Sequence, residues 1–377
     1  MIYLDSASTT KLDPIVFEEM LPFLQNQYAN PSSMHEGGIN NKKVLNQCRK
    51  KVSELLESHH KEIYFTSSGT EANNWALKGL ATKQQKKEII TTQIEHHSIL
   101  NSCAFLERFG FKVHYLSVDH EGFIDFDELK ALINENTLVV SIIYANNEIG
   151  TIQDVKRIRE LCDQYQTLLH LDATQGMCHI PISIKDLQPD LMSFSAHKFN
   201  GPKGVGCLYI KSGILIDNLI HGGQQENQLR AGTENLANII GLTKALELGM
   251  SRINQYDALR ELSTEFYYRI KEDITGVKLN GPKIGPNRLA GNLNLSFKDI
   301  DGSMLLYLLN KEGIYVSTGS ACDSQTIEPS HVLKAIKVPT DYINGSIRVS
   351  LGLGNTKLEI EEASQKLINI ILTLQGK

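Results

Sequence analysis

The sequence has no C-x-x-C pair. Its six cysteines (Cys48, Cys103, Cys162, Cys178, Cys207 and Cys322) are scattered, a pattern that excludes a disulfide framework or a cysteine zinc site and fits a reducing compartment. No apolar run approaches the roughly 20 residues that a bilayer-spanning helix needs. The opening MIYLD at 1–5 has no basic segment and no apolar run after it, so no secretory signal is expected. Positive charge is not in surplus either. Lys and Arg total 38 against 43 Asp and Glu, a formal net charge of −5, which argues against a nucleic-acid binder working through a broad basic face. The basic run KQQKK at 83–87 reads as a solvated helix end. Internal repeats and low-complexity segments are missing too. These absences leave a cytoplasmic globular protein, with no membrane and no direct nucleic-acid partner expected.

A chain of 377 residues, 41% hydrophobic and 21% charged, exceeds one typical domain and implies two lobes. Residues 1–13 read as a short strand and a polar turn before a helix that opens near Pro14. A polar helix follows over 40–57. Apolar runs then recur at 63–65, 88–92, 112–118, 138–144, 167–171, 191–194 and 205–210. Helical patterns separate most of them, as at 71–80, 99–109 and 155–165, which predicts a mostly parallel sheet covered on both faces. The last two runs lie too close for a helical crossover, so 205–210 is expected antiparallel. Long helices near 233–252 and 255–273 precede a Gly- and Pro-containing loop at 280–291. Strand-like runs at 292–297, 314–317 and 347–351 and helices at 302–312 and 356–374 then suggest a smaller α+β lobe. The expected partition is a large domain over 14–253 and a small one formed by 1–13 and 254–377.

In such sheets ligands sit beyond the carboxyl ends of the strands, and polar residues recur there. The segment SFSAHKFNGPKGVG at 193–206 delivers Lys198 at a strand end beside Ser195 and His197. Burial makes an amine a nucleophile able to capture an aldehyde, while Ser and His are phosphate-ligand types. Together they suggest pyridoxal phosphate. SSGTEANN at 67–74 joins a strand to a helix, and there Gly69 and Thr70 can cradle a phosphate at the helix N-terminus. Asp172, 26 residues before Lys198, can hold a protonated pyridine nitrogen. Gln175 and Asn147 can bond the ring hydroxyl. His96 or His97 can stack on the ring and move protons, whereas a metal pair is disfavoured because adjacent residues point apart and no third ligand is spaced to help. One of the two histidines is expected to be exposed. Arg348, in SIRVSLG at 346–352, can clamp a carboxylate bidentately, although a surface ion pair explains the segment equally well. Cys322, in the small polar run GSACDS at 319–324, is the thiol placed to act as a nucleophile. The other five cysteines lie in regular segments and are expected to be inert.

These segments, in this order, resemble the cysteine desulfurases of the NifS/IscS type, class V enzymes of the fold-type I pyridoxal phosphate group. LDSASTT at 4–10, NPSS at 30–33, EHH at 95–97, NNEIG at 146–150, DATQ at 172–175, RAGTEN at 230–235 and EPSHVL at 328–333 extend the likeness along nearly the whole chain. The resemblance implies an α/β fold with a mostly parallel seven-stranded sheet between helices. It implies Lys198 as the Schiff-base lysine, Asp172 on the pyridine nitrogen, Gln175 and Asn147 on the ring hydroxyl and His96 as the stacking residue. Thr70, Ser195 and His197 would hold the phosphate, joined by Thr233 from the other subunit of a homodimer. Arg348 would bind the carboxylate of L-cysteine. Cys322 would accept its sulfur as a persulfide and hand it to an acceptor protein, an iron–sulfur scaffold or a thiolation enzyme. Ser6 and Ser8 depart from the usual Asn and Ala, and Ala290 from a common Pro. These departures are expected to touch no catalytic group. With its last helix ending near Lys377, the chain is expected to lack the tail with which some relatives dock a scaffold. Transamination, selenocysteine lyase activity and a silent sulfur carrier are the competing functions.

Overall fold

The computed structural model describes residues 1–318 and 329–376. Its strands, in chain order, are β1 Ile2–Tyr3, β2 Ile63–Thr66, β3 Glu88–Thr92, β4 Lys112–Leu116, β5 Thr137–Ile143 and β6 Leu168–Asp172. They continue as β7 Leu191–Ser195, β8 Gly206–Ile210, β9 Val277–Leu279, β10 Asn292–Phe297, β11 Ile314–Tyr315 and β12 Ser346–Ser350. Seven of them form one sheet in the order β2-β8-β7-β6-β5-β3-β4. β3, β4, β5, β6 and β7 run parallel, and β8 is antiparallel to both β7 and β2. The short link between β7 and β8 thus forces the one reversal that the sequence predicts.

The strands are apolar on both sides because both faces are covered. Phe65, Ile90, Val140 and Met192 join one apolar core, whereas their neighbours Tyr64, Ile89, Val139 and Leu191 join another on the opposite face, as the two-residue period of a strand requires. The helices that cover the sheet open on side-chain caps. Ser68 accepts from Glu71 N at the start of Gly69–Lys83, His96 from Ser98 N at His97–Glu107, and Asp154 from Arg157 N at Val155–Gln164. Such caps satisfy N–H groups that have no partner inside a helix.

A third core lies apart from that sheet. It takes Ile2 and Leu4 from the start of the chain together with Phe266, Leu295, Phe297, Val349 and Leu367. Here β12-β10-β9 form an antiparallel sheet and β1 pairs with β11 in parallel. The helix Lys357–Leu374 starts on a capping box between Thr356 and Glu359. Val332, Leu333 and Ile336 pack into the first core instead, so the chain returns to the large sheet after residue 329. Several short elements escape sequence reading, among them the helices Ile184–Leu187, His331–Ala335 and Thr340–Ile343. The helix Phe126–Leu132 is only 7 residues long, too short for a periodic signal, and Asp125 starts it by accepting from Asp127 N and Glu128 N. β9 has 3 residues, none of them buried. The run expected at 314–317 stops as a strand at Tyr315, because Ser317 instead pairs with Arg348.

Arg49, on the helix Glu36–Leu55, ties that helix to the edge of the sheet. Its guanidinium donates to Ile63 O and to both carboxylate oxygens of Glu226, at 2.7 and 2.6 Å, and Glu226 also accepts from Phe65 N at 2.9 Å. Both partners are buried. Removing one ion of a buried pair strands the other without water or a partner, typically at about 3–5 kcal/mol. Arg49→Met should therefore lower unfolding free energy by about that amount, read as a lower urea midpoint by circular dichroism.

Candidate active site

Beyond the carboxyl ends of β2, β3, β5, β6 and β7 lies a cavity of about 350 Å³. It collects Gly69, Thr70, His96, Asn147, Asp172 and Gln175 from separate strand ends. Ser195, His197 and Lys198 enter after β7, and Arg348 comes from β12 of the other sheet. Thr233 is exposed and lies outside the lining of its own chain's cavity. Its loop is held nearby by Arg230, whose Nε bonds Glu71 at 2.8 Å. Cys322 lies outside the described residues.

Lys198 Nζ donates to the carbonyls of Ala7 and Ser8 at 2.7 and 2.9 Å, and Gln175 Nε2 reaches the same Ala7 carbonyl at 2.7 Å. Arg348 is buried rather than on the surface. Its ion pair to Asp5 at 2.8 Å is joined by bonds to Ser8 Oγ at 2.6 Å and Asn147 O at 3.3 Å. The departure at Ser8 therefore does touch a proposed substrate-binding group. Its hydroxyl is an oxygen acceptor that the usual Ala cannot supply.

Asp172 ends β6 fully within the protein, accepting from Thr174 N at 2.9 Å and Asn73 Nδ2 at 2.7 Å. His96 Nδ1 accepts from Ser98 N at 3.1 Å and contacts Ser98 Oγ at 2.8 Å. Burial holds this imidazole below the ordinary histidine value, with Asp172 opposing and Lys198 adding to the effect. Burial and then Lys198 depress His197 further, to about 4, so it is a neutral hydrogen-bonding ring. The exposure expected of one histidine of the pair is not found. His97 is half-buried, packs on His331 with ring centroids 4.7 Å apart, and lines the cavity with it.

Seven buried side-chain polar atoms lack a hydrogen-bond partner among the described residues, and four of them belong to cavity-lining residues: Asn73 Oδ1, Glu95 Oε2, Thr174 Oγ1 and Arg348 Nε. Buried polar atoms are normally paired, so this concentration marks where a polar ligand completes the structure. At one end, a Cβ on Gly69 would meet Thr174 Oγ1 at 3.0 Å, and the helix N-terminus there favours an anion. At the other, Asp172 suits a protonated ring nitrogen. Lys198 lines the same cavity.

Two carboxyl groups were not visible as site residues in sequence. Glu95 accepts from Thr92 Oγ1 at 2.7 Å and Ile143 N at 2.9 Å, and burial still pushes it up to about 8. Burial raises Glu148 to about 7 against the opposing pull of Ser330 and Arg348. EHH and NNEIG contained both residues, but only burial distinguishes them from ordinary surface acids. Glu95 sets a pH trend. Between its ordinary value of 4.5 and about 8 the folded chain keeps a proton that the unfolded chain releases, so stability falls as pH rises. Glu95→Gln removes that slope. In chemical denaturation at pH 5 and pH 8, the variant should gain on the wild type with pH, by at most about 1.4 kcal/mol per unit.

Comparison with known proteins places this geometry. The class V aminotransferase family matches residues 2–362. Cysteine desulfurase IscS of Clostridium botulinum is 48% identical over 373 residues, spanning 98% of this chain and 94% of that protein. A solved structure described as a NifS-like protein superimposes with a TM-score of 0.92 at 39% identity, covering 99% of this chain and all of the other. Another, SspA in complex with cysteine, gives a TM-score of 0.82 at 33% identity over 93% of this chain and 99% of its own. With its fold and nearly its full length shared with these proteins, the chain belongs to the class V aminotransferase family, within the cysteine desulfurases.

Proposed function

We propose that this protein converts L-cysteine to L-alanine, holds the sulfur as a persulfide on Cys322 and passes it to an acceptor protein. The observation that carries the reading is the meeting of Lys198, Asp172, His96 and Arg348 in one cavity whose walls hold unpaired buried polar atoms. Pyridoxal phosphate fits that cavity and, when bound, supplies an electron sink beside the substrate's Cα.

The chain's own residues divide the remaining work. Lys198 would attach the cofactor and take the substrate's Cα proton on Nζ. Asp172 would hold the proton of the ring nitrogen. Asn147 and Gln175 would bond the ring hydroxyl, His96 would cover the ring face, and Gly69, Thr70, Ser195 and His197 would hold the phosphate, with Thr233 contributed by the second subunit of a homodimer. Arg348 receives the substrate carboxylate, and its unpaired Nε leaves a donor for it. Asn147, whose carbonyl already touches that guanidinium, borders the same subsite.

Two features support Cys322 as the sulfur acceptor. The other five cysteines are all buried, and burial raises every one of those thiols: Cys48 to about 11, Cys103 and Cys162 to about 12, Cys178 and Cys207 upward as well. Protonated, inaccessible thiols are poor nucleophiles. The residues flanking 319–328 are also tied to the cavity wall. Ser317 pairs with the Arg348 backbone, Ser330 Oγ donates to Glu148 at 2.5 Å, and His331 Nε2 donates to the Glu95 carbonyl at 2.9 Å. The acceptor is proposed to be an iron–sulfur scaffold or a tRNA- or cofactor-thiolation enzyme in the cytoplasm. Among the described residues no helix is long and apolar enough to cross a membrane.

Alanine and sulfide release from L-cysteine, with pyridoxal phosphate and a reductant, tests this. Lys198→Ala should lower turnover by at least about a thousandfold and Cys322→Ala should abolish sulfide release. Arg348→Ala should act mainly on kcat/KM, by roughly a hundredfold, the value of a lost charge-assisted pair. Equal activity of the wild type and Cys322→Ala would remove the persulfide step. Survival of that variant with a keto-acid acceptor would make the enzyme a transaminase.

A further inference from the structure

Asn73 lies on the helix Gly69–Lys83 and is almost wholly buried. Its amide nitrogen has two protons, and both are used. One bond runs to Asp172 Oδ2 at 2.7 Å, the other to Ser98 Oγ at 2.9 Å. A carboxylate only accepts, so the amide cannot be turned the other way, and Asn73 Oδ1 is left unpaired in a residue that lines the cavity. Ser98 Oγ, having accepted from Asn73, keeps its single proton for His96 Nδ1, 2.8 Å away. Ser98 N donates to the same nitrogen at 3.1 Å. With two donors aimed at it, Nδ1 has no room for a proton of its own.

We propose that Asn73 is a positioning residue that joins Asp172 to His96 through Ser98, fixing the His96 ring as the neutral tautomer with its proton on Nε2. The chain Asp172–Asn73–Ser98–His96 couples two groups assigned to different sides of the cofactor. It decides which way His96 handles protons, since Nδ1 is committed to Ser98 and Nε2 is the nitrogen left to face the cavity as a donor. The charged and titratable groups around the ring are Asp172 at the end of β6, Lys198 after β7 and the adjacent His97. Asp172 favours protonation of the ring, whereas Lys198, His97 and above all burial oppose it.

The proposal deepens the function proposed above, yet its main readout needs neither turnover nor cofactor. The full chain is labelled with 15N-histidine, and His96→Gln identifies the His96 signals. The expected result is an unprotonated Nδ1 and a protonated Nε2 at neutral pH. Asn73→Ala frees the Ser98 hydroxyl to turn and accept from a protonated Nδ1, and Ser98→Ala removes one donor outright. Both should raise the pH at which the ring takes up its second proton, by about one unit, the scale of one hydrogen bond. Ser98→Thr keeps a hydroxyl and should leave the titration in place. With pyridoxal phosphate bound, the pH dependence of its visible absorption band should move in Asn73→Ala and stay in Ser98→Thr. A wild-type ring protonated on Nδ1, or a titration unmoved in the alanine variants, overturns the proposal. Should Asn73→Ala fail to fold, Ser98→Ala decides alone. A chain inactive toward L-cysteine that still shows this tautomer would sink the desulfurase reading and leave this one standing.

Discussion

Lys198 and Arg348 bring two positive charges into one largely enclosed cavity, and the oxygen atoms of residues 5–8 receive both. Lys198 hangs from the large sheet and bonds the carbonyls of Ala7 and Ser8, while Arg348 hangs from the antiparallel sheet and bonds Asp5 and the Ser8 hydroxyl. Two cations in a medium of low dielectric would otherwise repel each other and resist burial. The start of the chain can play this part because it is anchored on either side. β1 pairs with β11, Asp5 bridges to Ser350, and Thr10 bonds the His197 carbonyl. A strand of two residues thereby joins the two sheets around the cavity.

The walls of the cavity follow the same rule of satisfied burial with deliberate exceptions. Asp172, Asn73, Ser98 and His96 are linked in a chain of hydrogen bonds, so the ring and the carboxylate are oriented before any ligand arrives. The atoms left over point to the ligand's own polarity. Preorganisation of this kind places donors and acceptors where charge will develop, with little rearrangement needed during reaction. It also explains why the cavity carries Glu95 as a buried acid pushed up to about 8. A carboxyl group held neutral there adds a polar contact without adding another charge to Lys198, Arg348 and Asp172.

Much of this was legible in the chain itself. The strands at 88–92 and 292–297 have the bounds read from sequence, because long apolar runs between capped helices leave few alternatives. The reversed strand after Lys198 followed from a link too short for a crossover. Lys198, Asp172 and His96 stand out because polar residue types recur at strand ends, and Arg348 as a carboxylate clamp within an alternating run; the structure brings all four into one cavity. Other features left no local trace. Asn73 sits one turn inside a helix, where an asparagine looks like a surface residue, and its meaning depends on Asp172, 99 positions away. Ser8 looked like a neutral departure until Arg348, 340 positions away, was seen to reach it. One histidine of the His96–His97 pair is expected to be exposed, and His97 is instead half-buried, packed against His331.

The division has a physical basis. Periodicity, capping residues and strand-end chemistry act over a few residues, so the sequence by itself determined the sheet, the order of its elements and the kinds of groups at their ends. Burial and hydrogen bonding between distant positions are properties of the folded chain. Only the tertiary structure decided that Arg348 is buried and paired with Asp5, that Glu95 and Glu148 are raised acids, and that Asn73 holds Asp172 and His96 in one network. Each of those outcomes depends on which side chain excludes water from another, and that is settled when the two sheets meet around the cavity.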